Sequence, residues 1–126
     1  MHKMFLIFSH KLREEQKEDA TTSLNIKEFV ELPDKLQELW SNIPAELKSL
    51  DRYLLPLQRY IDSNALEGDV ILIQGDYGAT ALMVEFCKEK GFVAVYSTTK
   101  REVKESLEDN KVIKTSTFKH VIFRGY

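Results

Sequence analysis

The amino-acid sequence predicts an α/β protein: a Rossmann-like parallel sheet flanked by helices, with a C-terminal antiparallel β-hairpin. Three observations predict it. Short, largely apolar runs recur at residues 4–8, 29–32, 70–74 and 92–96, and runs of this kind read as strands of a buried sheet. Segments with helical spacing separate them, and strands alternating with helices imply parallel pairing. The tail is different in character. Residues 101–107 and 112–123 alternate polar and β-branched positions around Glu108-Asp109-Asn110-Lys111, the pattern of a hairpin. A chain of 126 residues suits a single domain, residues 1–126, with one core.

The elements follow in order. The run Met4-Phe5-Leu6-Ile7-Phe8 ends at Ser9-His10. Residues 13–23 are rich in Glu, Gln, Lys and Ala, and Leu12, Ala20 and Leu24 supply only a thin apolar stripe, as on a surface helix. The strand at 29–32 stops at Pro33, because the residue before a proline is biased to extended backbone. Leu36, Leu39 and Trp40 have helical spacing, and Pro44 stands where another helix could start. Leu47, Leu50, Leu54, Leu57 and Ile61 continue an amphipathic pattern, and Pro56 inside it predicts a kink or break near Leu55. Glu67-Gly68-Asp69 is a turn signal. The branched run 70–74 leads into Gly75-Asp76-Tyr77-Gly78-Ala79-Thr80. Ala79, Leu82, Met83, Phe86 and Cys87 then mark one face of a helix that Gly91 ends. The last parallel strand, 92–96, is followed by Ser97-Thr98-Thr99-Lys100-Arg101.

Composition removes several function classes. With 43% hydrophobic and 30% charged residues, the chain is too apolar to be disordered. Cys87 is the sole cysteine, which excludes internal disulfides and multi-cysteine zinc sites. Three scattered histidines, His2, His10 and His120, lack metal-ligand spacing, so neither a metal nor another cofactor is expected. No apolar run approaches the ~18 residues that span a bilayer. Residues 4–8 are also too short for a signal-peptide core, and no cleavage site follows them. A cytoplasmic protein without a membrane partner is expected. The net charge of −2 argues against general duplex nucleic-acid binding. It leaves room for one compact anion, since residues 111–126 hold four basic residues, Lys111, Lys114, Lys119 and Arg124, and no acidic one.

Ligands of open parallel sheets bind beyond the carboxyl ends of the strands. That rule selects Ser9-His10, residues 75–80 and residues 97–101. Gly75 and Gly78 allow a tight turn and close backbone approach, and a helix start favours an anion. The same glycines would also serve a plain strand-to-helix turn. Asp76 repels phosphate, so it suits a helix cap or a hydrogen bond to a ribose or adenine. Ser97, Thr98 and Thr99 offer hydroxyls, while Lys100 and Arg101 offer charge matched to phosphate; a solvated turn would look the same. His10 could transfer a proton near neutral pH. His120 lies in the hairpin, where a solvated strand position is the simpler reading. Cys87 reads as a buried structural thiol.

These pieces together resemble a small CRISPR-associated ancillary family found beside type III interference systems. The resemblance is carried by Met4-Phe5-Leu6-Ile7-Phe8-Ser9-His10, Leu39-Trp40-Ser41-Asn42-Ile43-Pro44, Gln74-Gly75-Asp76-Tyr77-Gly78-Ala79-Thr80, Tyr96-Ser97-Thr98-Thr99-Lys100-Arg101 and Thr117-Phe118-Lys119-His120-Val121-Ile122-Phe123-Arg124. It covers nearly the whole chain, although the family has Asn at the position of Ser9. The resemblance implies a CARF-like variant of the Rossmann fold that works as a homodimer on cyclic oligoadenylate, the type III second messenger. It further implies a metal-independent ring nuclease that cuts cyclic tetra-adenylate to linear products with 2′,3′-cyclic phosphate ends and so switches off antiviral signalling. A sensor or sponge that only binds the messenger is the alternative. Under the nuclease reading, His10, Lys100 and Arg101 are the expected catalytic residues, with His120 as a reserve acid or base. Ser9, residues 75–80 (Gly75, Asp76, Tyr77, Gly78, Ala79, Thr80), Ser97, Thr98, Thr99 and His120 are the expected ligand contacts.

Overall fold

The computed structural model describes all 126 residues. In chain order the elements are β1 (His2–Ile7), α1 (Glu14–Ser23), β2 (Ile26–Glu31), α2 (Asp34–Ser41), α3 (Leu55–Asn64), β3 (Val70–Ile73), α4 (Tyr77–Glu89), β4 (Val93–Glu108) and β5 (Lys111–Gly125). They build one sheet in the order β2-β1-β3-β4-β5. The first four strands are parallel, and β5 pairs antiparallel with β4. The architecture is the expected Rossmann-like sheet with a terminal hairpin.

Alternation along the strands divides the core in two. Phe5 and Ile7 of β1, with Ile71 and Ile73 of β3, face the layer of α2, α3 and α4 and pack with Trp40, Leu57, Ile61, Met83 and Cys87. Met4, Leu6, Val70, Leu72 and Val95 point the other way, toward Leu12 and Ala20 at α1. Burial among apolar side chains pushes the Cys87 thiol up to about 12, so it stays protonated and inert. No helix is long and apolar enough to cross a membrane.

β2 spans Ile26–Glu31 where the sequence predicts residues 29–32, and the boundaries differ from the sequence expectations in three further places. His2 opens β1, two residues before the apolar run. Residues 42–54 form turns and no helix. Pro44 starts nothing, Leu47 is exposed, and Tyr53 donates its phenol hydrogen to the carbonyls of Leu39 and Asn42. Pro56 lies in the first turn of α3, where its missing N–H leaves no hydrogen bond unmade; of the kink or break expected near Leu55, the structure has the break, with the new helix starting at Leu55. The third difference is the largest. β4 does not end at Tyr96 but runs through Ser97-Thr98-Thr99-Lys100-Arg101 to Glu108, because β5 supplies a ladder partner after β3 has stopped at Ile73.

Beyond the sheet, β4 and β5 form a two-stranded arm in which every residue from Val103 to Lys119 is exposed. Asp109 and Asn110 at its tip both have positive φ, 50° and 61°, the backbone that a tight hairpin turn requires. At the base of the arm Ser97 pairs with Phe123, but Thr99 pairs with His120. β5 therefore carries one extra residue, a β-bulge. Thr98 Oγ1 fastens it, donating to the Ile122 carbonyl and accepting from the Ile122 N–H, each at 3.1 Å. In regular alternation His120 and Phe123 would face opposite sides of the sheet. The bulge turns His120 to the side of α1.

Candidate functional site at the carboxyl edge of the sheet

β1 continues into β2 on one side and lies against β3 on the other, so the topological switch point is the crevice between the ends of β1 and β3. Gln74 closes its floor. Its backbone N–H donates to the Ile7 carbonyl at 3.0 Å, and its side-chain oxygen accepts from the Ser97 N–H at 2.8 Å. Its carbonyl accepts from Trp40 Nε1 at 3.0 Å. The neighbouring Gly75 is fixed by this last contact, since a Cβ there would stand 2.8 Å from the indole nitrogen. The glycine serves packing against Trp40.

A cavity of about 170 Å³ opens beside this floor. Phe8, His10, Lys11 and Arg13 line it from the β1–α1 connection, Gln16 from α1, Ser97 and Thr99 from β4, and His120 from β5. A recess of about 280 Å³ that shares Phe8, His10 and Gln74 with it lies over Ser9 and Gly75. The His10 ring stands edge-on to Phe8, with centroids 5.4 Å apart. Lys11 and Arg13 bring two cations, and Glu15 one carboxylate. Arg13 also donates to the Phe118 carbonyl at 3.3 Å, tying the start of α1 to β5.

Behind the wall lies a chain of hydrogen bonds. Ser97 Oγ is 2.6 Å from His120 Nδ1, and His120 Nε2 is 2.6 Å from Asp19 Oδ2. The second Asp19 oxygen accepts from the Ser23 hydroxyl at 2.7 Å, and Gln16 donates its amide to Ser97 Oγ at 3.3 Å. The His120 side chain is only 4% exposed. A carboxylate only accepts, so Nε2 carries a proton; in the neutral ring Nδ1 then accepts from the Ser97 hydroxyl. Burial raises the Asp19 pKa, but the Ser23 and His120 hydrogen bonds and the His120 charge outweigh it and hold the carboxyl below 3.8. Its ionised form is thus favoured by folding, a stabilisation present above the unfolded value and lost as the pH falls through the folded one. Asp19→Asn is expected to lower the urea midpoint at neutral pH, and the two unfolding curves are expected to converge in acid.

The structure gathers Ser9, His10, Gly75, Ser97, Thr99 and His120 at one edge. It does not bring in the others. Lys100 and Arg101 are consecutive on a strand, so they face opposite ways. Neither lines the cavity, and Arg101 donates to Ser116 Oγ at 2.9 Å. Thr98 is used by the bulge. Asp76 caps α4 by accepting from the Ala79 N–H at 3.0 Å, one of the two roles expected of it. Tyr77 is 96% exposed, Ala79 is buried in the core, and Gly78 and Thr80 line neither cavity. Thr80 Oγ1 is buried without a partner. Sequence reading missed Lys11, Arg13, Gln16, Asp19 and Gln74. One signal was available: Gln16 stands midway between Leu12 and Ala20 on the stripe of α1, a polar residue at a buried helical position. No three His, Cys, Asp or Glu side chains gather as metal ligands.

A family model described as "Uncharacterized protein MJ1673 family" matches residues 2–124. The "Uncharacterized protein MJ1673" of Methanocaldococcus jannaschii is 48% identical over 126 residues, covering 100% of this chain and 98% of that one. No solved structure matches the chain.

Proposed function

We infer that this chain, which belongs to the MJ1673 family, is a metal-independent ring nuclease that opens cyclic tetra-adenylate. The observation that carries the reading is that His10 and His120 line one cavity with Lys11 and Arg13 between the ends of β1 and β4. The reaction needs little beyond these groups. The ribose 2′-oxygen attacks the adjacent phosphorus, the 5′-oxygen leaves, and a 2′,3′-cyclic phosphate forms. One proton must leave the attacking hydroxyl and one must reach the departing oxygen, work suited to two imidazoles. The cations offset charge on the phosphoryl oxygens. The type III CRISPR resemblance in the sequence supplies the substrate.

The homodimer is part of what the sequence resemblance implies. A two-fold pair of chains would present the site twice to a ligand with matching symmetry. Arg13→Ala is expected to raise the messenger Kd about ten-fold, equivalent to about 1.4 kcal/mol, measured by calorimetry. The deciding experiment incubates the protein with cyclic tetra-adenylate in chelator and identifies products by mass spectrometry. Linear products with cyclic phosphate ends are expected. Tight binding of an intact ring at stoichiometric protein would replace the nuclease with the sensor or sponge.

A further inference from the structure

We propose that Ser97, His120 and Asp19 form a proton relay that serves as the general base of the site, with Ser97 Oγ as the group that meets the attacking hydroxyl. The proposal rests on the ring-opening reading and deepens it. Both His120 nitrogens are engaged, Nδ1 by Ser97 and Nε2 by Asp19, each at 2.6 Å. With its side chain 4% exposed, the imidazole has no nitrogen free for substrate. The hydroxyl that borders the cavity is that of Ser97.

The proton movements balance. As the 2′-oxygen bonds to phosphorus, its proton passes to Ser97 Oγ and the serine's own proton passes to His120 Nδ1. The imidazolium formed is held against the Asp19 carboxylate. His10, exposed on the cavity side, donates to the leaving 5′-oxygen. When products depart, His120 releases its proton through Ser97 to water and His10 takes one from water, so both groups are reset. Gln16 orients Ser97 Oγ by donating to it at 3.3 Å, leaving the serine hydrogen directed at Nδ1. Asp19 is a positioning residue. It fixes the tautomer with the proton on Nε2, as an orienting carboxylate does for an imidazole paired with a hydroxyl.

A hydroxyl prepared in this way is also a nucleophile, which allows a test independent of the messenger. A small dialkyl fluorophosphate is the probe. Ser97 Oγ bonds to phosphorus, the P–F bond breaks, fluoride leaves, and the proton goes to His120 Nδ1. Labelling of Ser97, located by peptide mass spectrometry, is expected for the wild-type protein. It is expected to slow about 10²-fold or more in His120→Ala and Asp19→Asn. In parallel, imidazole ¹⁵N shifts are expected to place the His120 proton on Nε2 in the wild type and to lose that preference in Asp19→Asn, while circular dichroism shows that the variant is folded. An unlabelled wild-type protein, or labelling and tautomer unchanged in folded Asp19→Asn, would overturn the relay. The two readings fail separately. A labelled Ser97 with an intact ring removes the ring-opening activity and keeps the relay; undiminished ring opening by Ser97→Ala does the reverse.

Discussion

His10→Ala is expected to slow ring opening by about 10²–10⁴-fold while changing messenger affinity only a few-fold. His10 stands at the mouth of the cavity against Phe8 and accepts no protein hydrogen bond that its loss would leave unmet. Its removal should therefore leave the fold intact. With the relay supplying the base, the variant lacks only the proton for the departing 5′-oxygen. Single-turnover cleavage with excess protein separates this step from binding, and added imidazole is expected to restore part of the rate. A variant that cleaves at the wild-type rate would remove His10 from the mechanism and leave water as the proton donor.

The largest loss of stability is expected for Trp40→Ala, about 3–5 kcal/mol. The Trp40 ring is 2% exposed and fills the space over Gly75 that a Cβ could not share. Its Nε1 is the hydrogen-bond donor to the Gln74 carbonyl. The truncation leaves a cavity and an unmatched acceptor at the floor of the site. Gln74 also holds the Ser97 N–H, so the effect should reach the relay. Urea unfolding with an unchanged denaturant slope is the measurement. Trp40→Phe keeps most of the volume and is expected to cost about 0.5–1.5 kcal/mol, the size of one hydrogen bond. Equal losses in the two variants would show that packing over Gly75 contributes little.

The parallel sheet was legible because its strands are buried on both faces, and continuous branched runs such as Val70-Ile71-Leu72-Ile73 have few other uses. The site was legible only in part. Strand-end logic found His10, Gly75 and Ser97, which follow or extend strands of the parallel core. It also selected Lys100 and Arg101, because residues 97–101 read as a loop. A loop can turn two adjacent cations toward one ligand, whereas a strand separates them. What sustains the strand there is β5, which arrives from the far end of the chain. Asp19 escaped for a similar reason. Its role is defined by His120, 101 residues away, and on α1 alone it is one more acid on a charged surface. The bulge that aims His120 at it is an extra residue in a register, and no local composition marks it.

That bulge gives β5 a rule about register. Were the bulge straightened with no change of length, Val121 would come opposite Thr99, the imidazole would swing to the outer side of the sheet, and every rung as far as the tip would shift by one. Loss of Val121 or Ile122 would instead remove the extra residue, so that two steps on β5 match two on β4, and alternation alone would keep His120 on the side of α1. At Asp109-Asn110, by contrast, residues can be added or removed without altering a single pairing near Ser97. The same hairpin is thus sensitive to register at its root and indifferent to length at its end. A length variant at the tip would separate the chemistry of the site from whatever the arm itself touches.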